Sequence, residues 1–170
     1  IWLFSANAVR GVLQLAIFIY LARTLLAEAF GYFSYAFAIV AYLMNFVDLG
    51  LSTYGIREIA KNKSRLFKYT SDIVSFRMIV AFILYLLFSI FVSLMAGTLE
   101  IKLLNLGMGL LLFSFAIAAE WAFQAVEKMH LVFLSFFAAS LLQFALLFYF
   151  VKSPAGLKIA PFIIFAATLP

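Results

Sequence analysis

Two groups of polar residues interrupt apolar stretches of this sequence. The first is Asn7, Arg10 and Gln14, whose spacing of three and four residues places them on one face of a helix. An arginine within an apolar stretch suits an anionic ligand, because guanidinium stays charged and pairs with phosphate through two hydrogen bonds. Asn and Gln beside it can bond hydroxyl or phosphate oxygens. The alternative is an interhelical network in which Arg10 pairs with a buried carboxylate.

The second group is Glu120, Gln124 and Glu127, at a spacing of four and then three. Glu120 would lie roughly 9 Å below the end of its apolar stretch at the rise of an α-helix. A carboxylate at that depth could bind a proton or Na⁺, which makes Glu120 the candidate ion-coupling residue. The alternative is that it pairs with Arg10 or Arg77. Gln124 joins Asn7, Arg10 and Gln14 as a candidate substrate contact.

The composition defines the environment in which these groups must work. Of 170 residues, 68% are hydrophobic and 11% are charged, against about 25% charged in an average soluble domain. That content indicates an integral membrane protein and excludes a cytosolic enzyme domain, a disordered chain and a disulfide-stapled module. There is no Cys and a single His, and we find no catalytic or nucleotide-binding motif. We therefore expect no enzyme, no metal site and no cofactor beyond a coupling H⁺ or Na⁺.

Six apolar stretches predict membrane-spanning helices, since about 20 residues cross the hydrocarbon core. They lie at about residues 2–22, 32–54, 73–96, 103–126, 131–151 and 159–170. Their length and lack of alternation favour helices over barrel strands. The prediction is an all-α polytopic transmembrane bundle of about five complete helices and the start of a sixth. Because the chain begins at Ile1 and ends at Pro170 inside an apolar run, we expect a fragment of a longer protein.

The charge is concentrated between the second and third stretches. Residues 57–77 carry six basic and two acidic groups, a net +4 of the formal +5. The basic residues of this loop are Arg57, Lys61, Lys63, Arg65 and Lys68. Positive loops stay in the cytoplasm, so we predict a cytoplasmic N-terminus and contact with anionic lipids rather than nucleic acid. A substrate-steering role of the loop is the alternative. Asn45 and Asp48, just before it, are predicted to cap or flank a helix end.

Three segments, in this order, resemble polysaccharide flippases of the Wzx type. Residues 22–32 (ARTLLAEAFGY) resemble the connector after the first span of that family, with Leu-Ala where Leu-Gly is usual. Residues 48–60 (DLGLSTYGIREIA) resemble the end of its second span and the start of the cytoplasmic segment. Residues 120–129 (EWAFQAVEKM) resemble the end of its fourth span, with Ala125 where Gly is common.

The resemblance implies a member of the multidrug/oligosaccharidyl-lipid/polysaccharide exporter superfamily. Residues 1–170 would then form most of the N-terminal lobe of a two-lobed transporter in the cytoplasmic (inner) membrane. The implied substrate is a polyprenyl-diphosphate-linked oligosaccharide, flipped by ion-coupled alternating access, with Arg10 at its headgroup. Membrane lipids, a polysaccharide polymerase and glycosyltransferases are the implied partners.

Three other functions are open on the sequence. A drug or organic-cation antiporter of the same superfamily would need an acidic cavity. The intramembrane charges, which are Arg10 and Arg77 against Glu120 and Asp48, do not favour one. A non-transporting scaffold of a glycan-assembly complex would use the polar groups for packing alone. A membrane-embedded enzyme lacks a cluster of carboxylates or histidines in this sequence.

Overall fold

The computed structural model describes residues 2–168, without the side chains of residues 2–7, 10, 154 and 155. Within residues 2–168 the chain is helical and contains no strand, which confirms the all-α prediction. The α-helices are α1 (Trp2–Asp48), α2 (Leu51–Lys61), α3 (Leu66–Leu94), α4 (Leu99–Gly109), α5 (Leu111–Ile117), α6 (Glu120–Ala125), α7 (Met129–Phe150) and α8 (Ala160–Thr168). Short 3-10 helices occupy Lys63–Arg65 and Pro154–Lys158.

Four helical stretches of the described chain are long and apolar enough to cross a membrane: Gly11–Lys61, Lys63–Leu94, Leu99–Ala125 and Met129–Phe150. Large apolar side chains remain exposed along them, as on α3, where Phe82, Ile83 and Leu87 are more than half exposed. Side chains of this kind are suited to lipid rather than water. The chain is therefore a multi-pass membrane protein.

Helix α1 is a hairpin of two arms, residues 2–25 and 27–48. Leu26, between them, has the non-helical backbone angles φ 63° and ψ 170°. The ring of Phe18 lies 6.2 Å from Phe30 and 5.6 Å from Phe37, although a straight helix would separate positions 18 and 37 by about 28 Å. The arms therefore fold back on each other. The polar connector expected at residues 23–31 is helical apart from Leu26. The apolar faces of the two arms pack against each other, and this packing confines the chain reversal to that one residue.

A second turn ends α1 earlier than the predicted span 32–54. Leu49 and Gly50 both have positive φ, at 45° and 80°, a conformation that glycine adopts without strain. The turn directs the chain into α2, whose buried residues Gly55 and Ile59 face the bundle. The predicted basic loop is largely helical. All five basic side chains, Arg57, Lys61, Lys63, Arg65 and Lys68, are exposed.

The predicted span 103–126 is divided into three helices. The breaks fall at Leu110 and at Ala118–Ala119, where Ala118 leaves the helical region with ψ 121°. Hydropathy does not detect such breaks, because the apolar run continues through them. The span predicted at 73–96 corresponds to α3, which begins earlier, at Leu66. Hydropathy did not include the first turns of this helix because they are polar.

The main core forms where α1 packs against α7, α3, α4 and α5. Among its fully buried apolar side chains are Ile17, Leu21, Leu25, Phe33, Leu104, Met108, Leu112 and Leu147. The Tyr20 hydroxyl donates to the Val151 carbonyl at 2.7 Å and fixes the first arm of α1 to the end of α7. A separate α2–α6 cluster consists of Ile59, Ile73, Trp121, Ala122 and Ala125.

Candidate functional site

The guanidinium of Arg77 is a buried charge with several hydrogen-bond partners in the described bundle. Arg77 lies on α3 and is 1% exposed. Its Nη2 donates to Asp48 Oδ1, forming an ion pair, and also to Ser52 Oγ. Its Nη1 donates to the Ala118 carbonyl at 3.3 Å. A buried charge needs such partners because removal from water is otherwise expensive.

Asp48 is placed for this role by the turn that ends α1. Its Oδ1 accepts from the Ser52 backbone N–H at 3.2 Å and from Ser52 Oγ at 2.8 Å. A carboxylate at this point satisfies a free N–H of the first turn of α2 and suits the positive end of the helix dipole. The carboxylate thus caps α2, as predicted, and also binds Arg77, a partner that sequence reasoning missed. Asn45 instead bonds within its own helix, from Nδ2 to the Ala41 carbonyl at 3.0 Å.

The break in the fourth span supplies the third partner of Arg77. In an unbroken helix the Ala118 carbonyl would accept from the Ala122 N–H, but that N–H bonds Ala119 at 2.9 Å. The freed carbonyl is satisfied by Arg77 instead. The rings of Phe115 and Trp121, on either side of the break, lie 5.8 and 5.7 Å from the guanidinium carbon, within reach of a cation–π interaction.

The second predicted group stands beside this cluster. Glu120 begins α6, is half-buried, and lies near enough to Arg77 to interact with its charge. The ion pair of Arg77, however, is with Asp48. Gln124 is half-buried one turn further along α6, and Glu127 is exposed in the following turn, with φ 62°. Arg77 therefore lies near two carboxylates, that of Asp48 on α1 and that of Glu120 on α6.

The first predicted group lies elsewhere, on the first arm of α1. The backbone is helical at positions 7, 10 and 14, which keeps the three positions on one helical face. The side chains of Asn7 and Arg10 lie outside the described residues, so their predicted substrate contacts stay predictions. Gln14 is half-buried.

Two further amide side chains are buried within the described spans and were not selected from the sequence. Asn105 on α4 is 2% exposed and Gln143 on α7 is 7% exposed. The signal that singled out Gln14, an amide inside an apolar stretch, applies equally to both. Among the described residues no group of three His, Asp or Glu side chains could hold a metal ion.

Comparison with known proteins places this bundle in a family. Residues 1–169 match the family model described as "Polysaccharide biosynthesis protein". Over 167 residues the chain is 33% identical to a protein of Escherichia coli (strain K12) described as "Putative O-antigen transporter". That alignment covers 93% of this chain and 39% of the relative, so the chain spans about two fifths of the length of the curated protein it matches. No solved structure shows significant similarity to this chain.

The family match covers all six apolar stretches and the three segments that carried the resemblance. It confirms that resemblance to Wzx-type flippases. The chain belongs to the polysaccharide biosynthesis protein family of membrane proteins.

Proposed function

We propose that this chain forms part of a flippase that moves a polyprenyl-diphosphate-linked oligosaccharide across the cytoplasmic membrane by alternating access. The observation that carries the proposal is the family match through the whole bundle, from residue 1 to residue 169. The E. coli relative is described as "Putative O-antigen transporter". Transport leaves the glycan chemically unchanged, so no catalytic residue is required.

The headgroup contact is assigned to the polar face of the first arm of α1. A diphosphate carries several negative charges, and Arg10 can pair with them bidentately. Asn7 and Gln14, one turn to either side, can bond sugar hydroxyls or phosphate oxygens, and Gln124 is the proposed contact from α6. The lipid tail can stay in the bilayer while the headgroup crosses.

The transport cycle is proposed to be driven by a gradient of H⁺ or Na⁺ acting at Glu120. The half-buried position of Glu120 beside Arg77 supports this assignment, since intramembrane carboxylates commonly bind coupling ions. The exposed basic residues of α2 and the adjoining 3-10 helix support a cytoplasmic position for that segment and for the N-terminus. A polymerase and glycosyltransferases are the proposed protein partners.

The test is the Arg10→Ala variant of the full-length protein in cells that lack their own transporter for the same glycan. We expect lipid-linked oligosaccharide to accumulate in the inner leaflet while the protein level in the membrane is unchanged. Arg23→Ala is the matched control, because Arg23 lies on the same arm and is exposed. If Arg10→Ala supports normal transport, the headgroup assignment fails. If the unmodified protein moves no lipid-linked glycan, the proposed function fails.

A further inference from the structure

A groove lies at the far end of the bundle from Arg77. It is bounded by the second arm of α1, the segment between α3 and α4, and α4 itself, and its volume is about 660 Å³. An adjoining hollow of about 430 Å³ shares Glu28, Tyr32, Thr98 and Ile101 with it. We refer to the two together as the α1–α4 groove. The volume of each hollow lies within the range of roughly 300–1,000 Å³ typical of ligand sites.

The position of the groove follows from α3. Arg77 is the twelfth of the 29 residues of that helix, and Met95, at the groove, directly follows its end. The 18 residue steps from Arg77 to Met95 span about 27 Å of helix, close to the roughly 30 Å thickness of the hydrocarbon core. The groove is therefore at the opposite membrane face from the Arg77 cluster and the basic segment.

One wall of the groove has the chemistry of an amphipathic ligand site. Glu28, Tyr32 and Tyr35 follow one another at a spacing of four and three residues, and all three line the groove. The two tyrosines are 38% and 51% exposed. A tyrosine offers a flat apolar ring and a hydroxyl. Aromatic residues at a membrane interface are common, but these two also line a concave surface opposite a buried amide.

That amide is Asn105, on the α4 side of the groove. Its Nδ2 donates to the Ile101 carbonyl at 2.8 Å, whereas Oδ1 has no hydrogen-bond partner among the described residues. Buried polar atoms are nearly always paired, but this oxygen has almost no exposed surface. It therefore makes the wall of the groove polar without being a direct contact for a ligand.

The charge of the groove selects the class of ligand. No Lys, Arg or His lines the described surface, whereas Glu28 and Glu100 do. Glu100 is paired with Lys158 at 2.7 Å. Carboxylates accept hydrogen bonds from hydroxyls and repel phosphate. The groove therefore excludes a phosphate-bearing ligand, and a neutral polyhydroxy compound is the remaining class that matches the substrate of the proposed function.

We propose that the α1–α4 groove binds sugar residues of the transported oligosaccharide at the membrane face where the glycan leaves. Sugar C–H faces pack on Tyr32 and Tyr35, and hydroxyls donate to Glu28. This inference rests on the proposed function for the identity of the glycan. It separates the two parts of the substrate, with the anionic headgroup at the cationic face of α1 and the neutral sugars here.

The experiment uses a thiol as a reporter of occupancy. The chain has no Cys, so Thr98→Cys in a full-length protein without other cysteines places one thiol in the groove. Thr98 is exposed and its side chain does not cap α4. The protein is reconstituted in nanodiscs and labelled with a membrane-impermeant maleimide. The probe is the oligosaccharide released by mild acid from the host's lipid-linked precursor.

We expect saturating oligosaccharide to slow labelling at position 98 by at least fivefold. Ser153→Cys, exposed at the same end but outside the groove, is the control and should label at an unchanged rate. Tyr35→Ala should abolish the protection. Tyr42→Ala, on the same arm but outside the groove and 70% exposed, should leave it intact.

Four outcomes would overturn the proposal. They are no protection by the oligosaccharide, equal protection by inorganic diphosphate, protection that survives Tyr35→Ala, and no labelling at position 98 without oligosaccharide, which would show that the groove is covered. Transport by the same proteins is measured separately. Protection without any transport would overturn the proposed function and leave the groove as a sugar site. Transport without protection would overturn the sugar site and leave the proposed function standing.

Discussion

The carboxylate of Asp48 and the guanidinium of Arg77 form an ion pair that joins the end of α1 to α3, 29 positions along the chain. The same Asp48 oxygen caps α2 through Ser52, and the same guanidinium bonds the carbonyl freed by the break before α6. One pair of charges therefore holds α1, α2, α3 and the break before α6 together at the membrane face that carries the basic segment.

The first prediction concerns the energy of this pair. Asp48→Asn leaves Arg77 buried and charged without its carboxylate, and we expect a loss of about 3 kcal/mol in unfolding free energy. This is the low end of the range for breaking a buried pair, because the Asp48 side chain is 24% exposed. The measurement is unfolding in detergent micelles. Adding Arg77→Met should recover part of the loss, because the uncompensated charge is then gone.

The matched control for that prediction is Glu100→Gln. It removes the partner of Lys158 in a pair whose side chains are 51% and 61% exposed, so we expect a loss below about 1 kcal/mol. Equal effects of Asp48→Asn and Glu100→Gln would contradict the role assigned to the Asp48–Arg77 pair.

The second prediction concerns the close approach of α2 to α6. A Cβ on Gly55 would lie 2.3 Å from Trp121 Cζ3 and 2.8 Å from Ile73 Cδ1, distances that require α2 to move. We expect Gly55→Ala to destabilise the protein by about 1–3 kcal/mol, the usual effect of overpacking, and to change the fluorescence of Trp121. Gly11→Ala is the control, since a Cβ there meets no atom within 4 Å. Equal stability of the two variants would refute the packing argument.

The third prediction concerns ion coupling. Glu120→Gln removes the charge of the half-buried carboxylate beside Arg77 while keeping its shape. We expect transport by the full-length protein to lose its dependence on pH or on Na⁺. Glu127→Gln, on the same stripe but exposed, should keep that dependence. Unchanged dependence in Glu120→Gln would move the coupling site to another residue.

The fourth prediction concerns orientation. Ser64 is exposed on the 3-10 helix of the basic segment, and Thr98 is exposed at the other end of α3. With a cytoplasmic N-terminus, Ser64→Cys should resist an impermeant maleimide added to intact cells, and Thr98→Cys should react. Permeabilisation should make both accessible. Labelling of Ser64→Cys in intact cells would invert the topology.

The sequence by itself determined the helical membrane bundle, the positions of its apolar stretches and its family. These depend on local properties, because a run of about 20 apolar residues must be a helix wherever it lies in a bilayer. The same local rule identified Arg10, Gln14 and Glu120 as residues that need an explanation, and applied more widely it would have identified Asn105 and Gln143.

The sequence predicted a connector at residues 23–31, and only the tertiary structure narrowed the reversal to Leu26 and decided which charges meet. The reversal at Leu26 and the break at Ala118 fall on residues that favour helices in isolation, so no turn signal marks them. Packing of the arms around Phe18 and capture of the Ala118 carbonyl by Arg77 stabilise them instead. The choice of Asp48 over Glu120 as the ion-pair partner of Arg77 likewise depends on how α1, α3 and α6 pack, which no spacing within one stretch encodes.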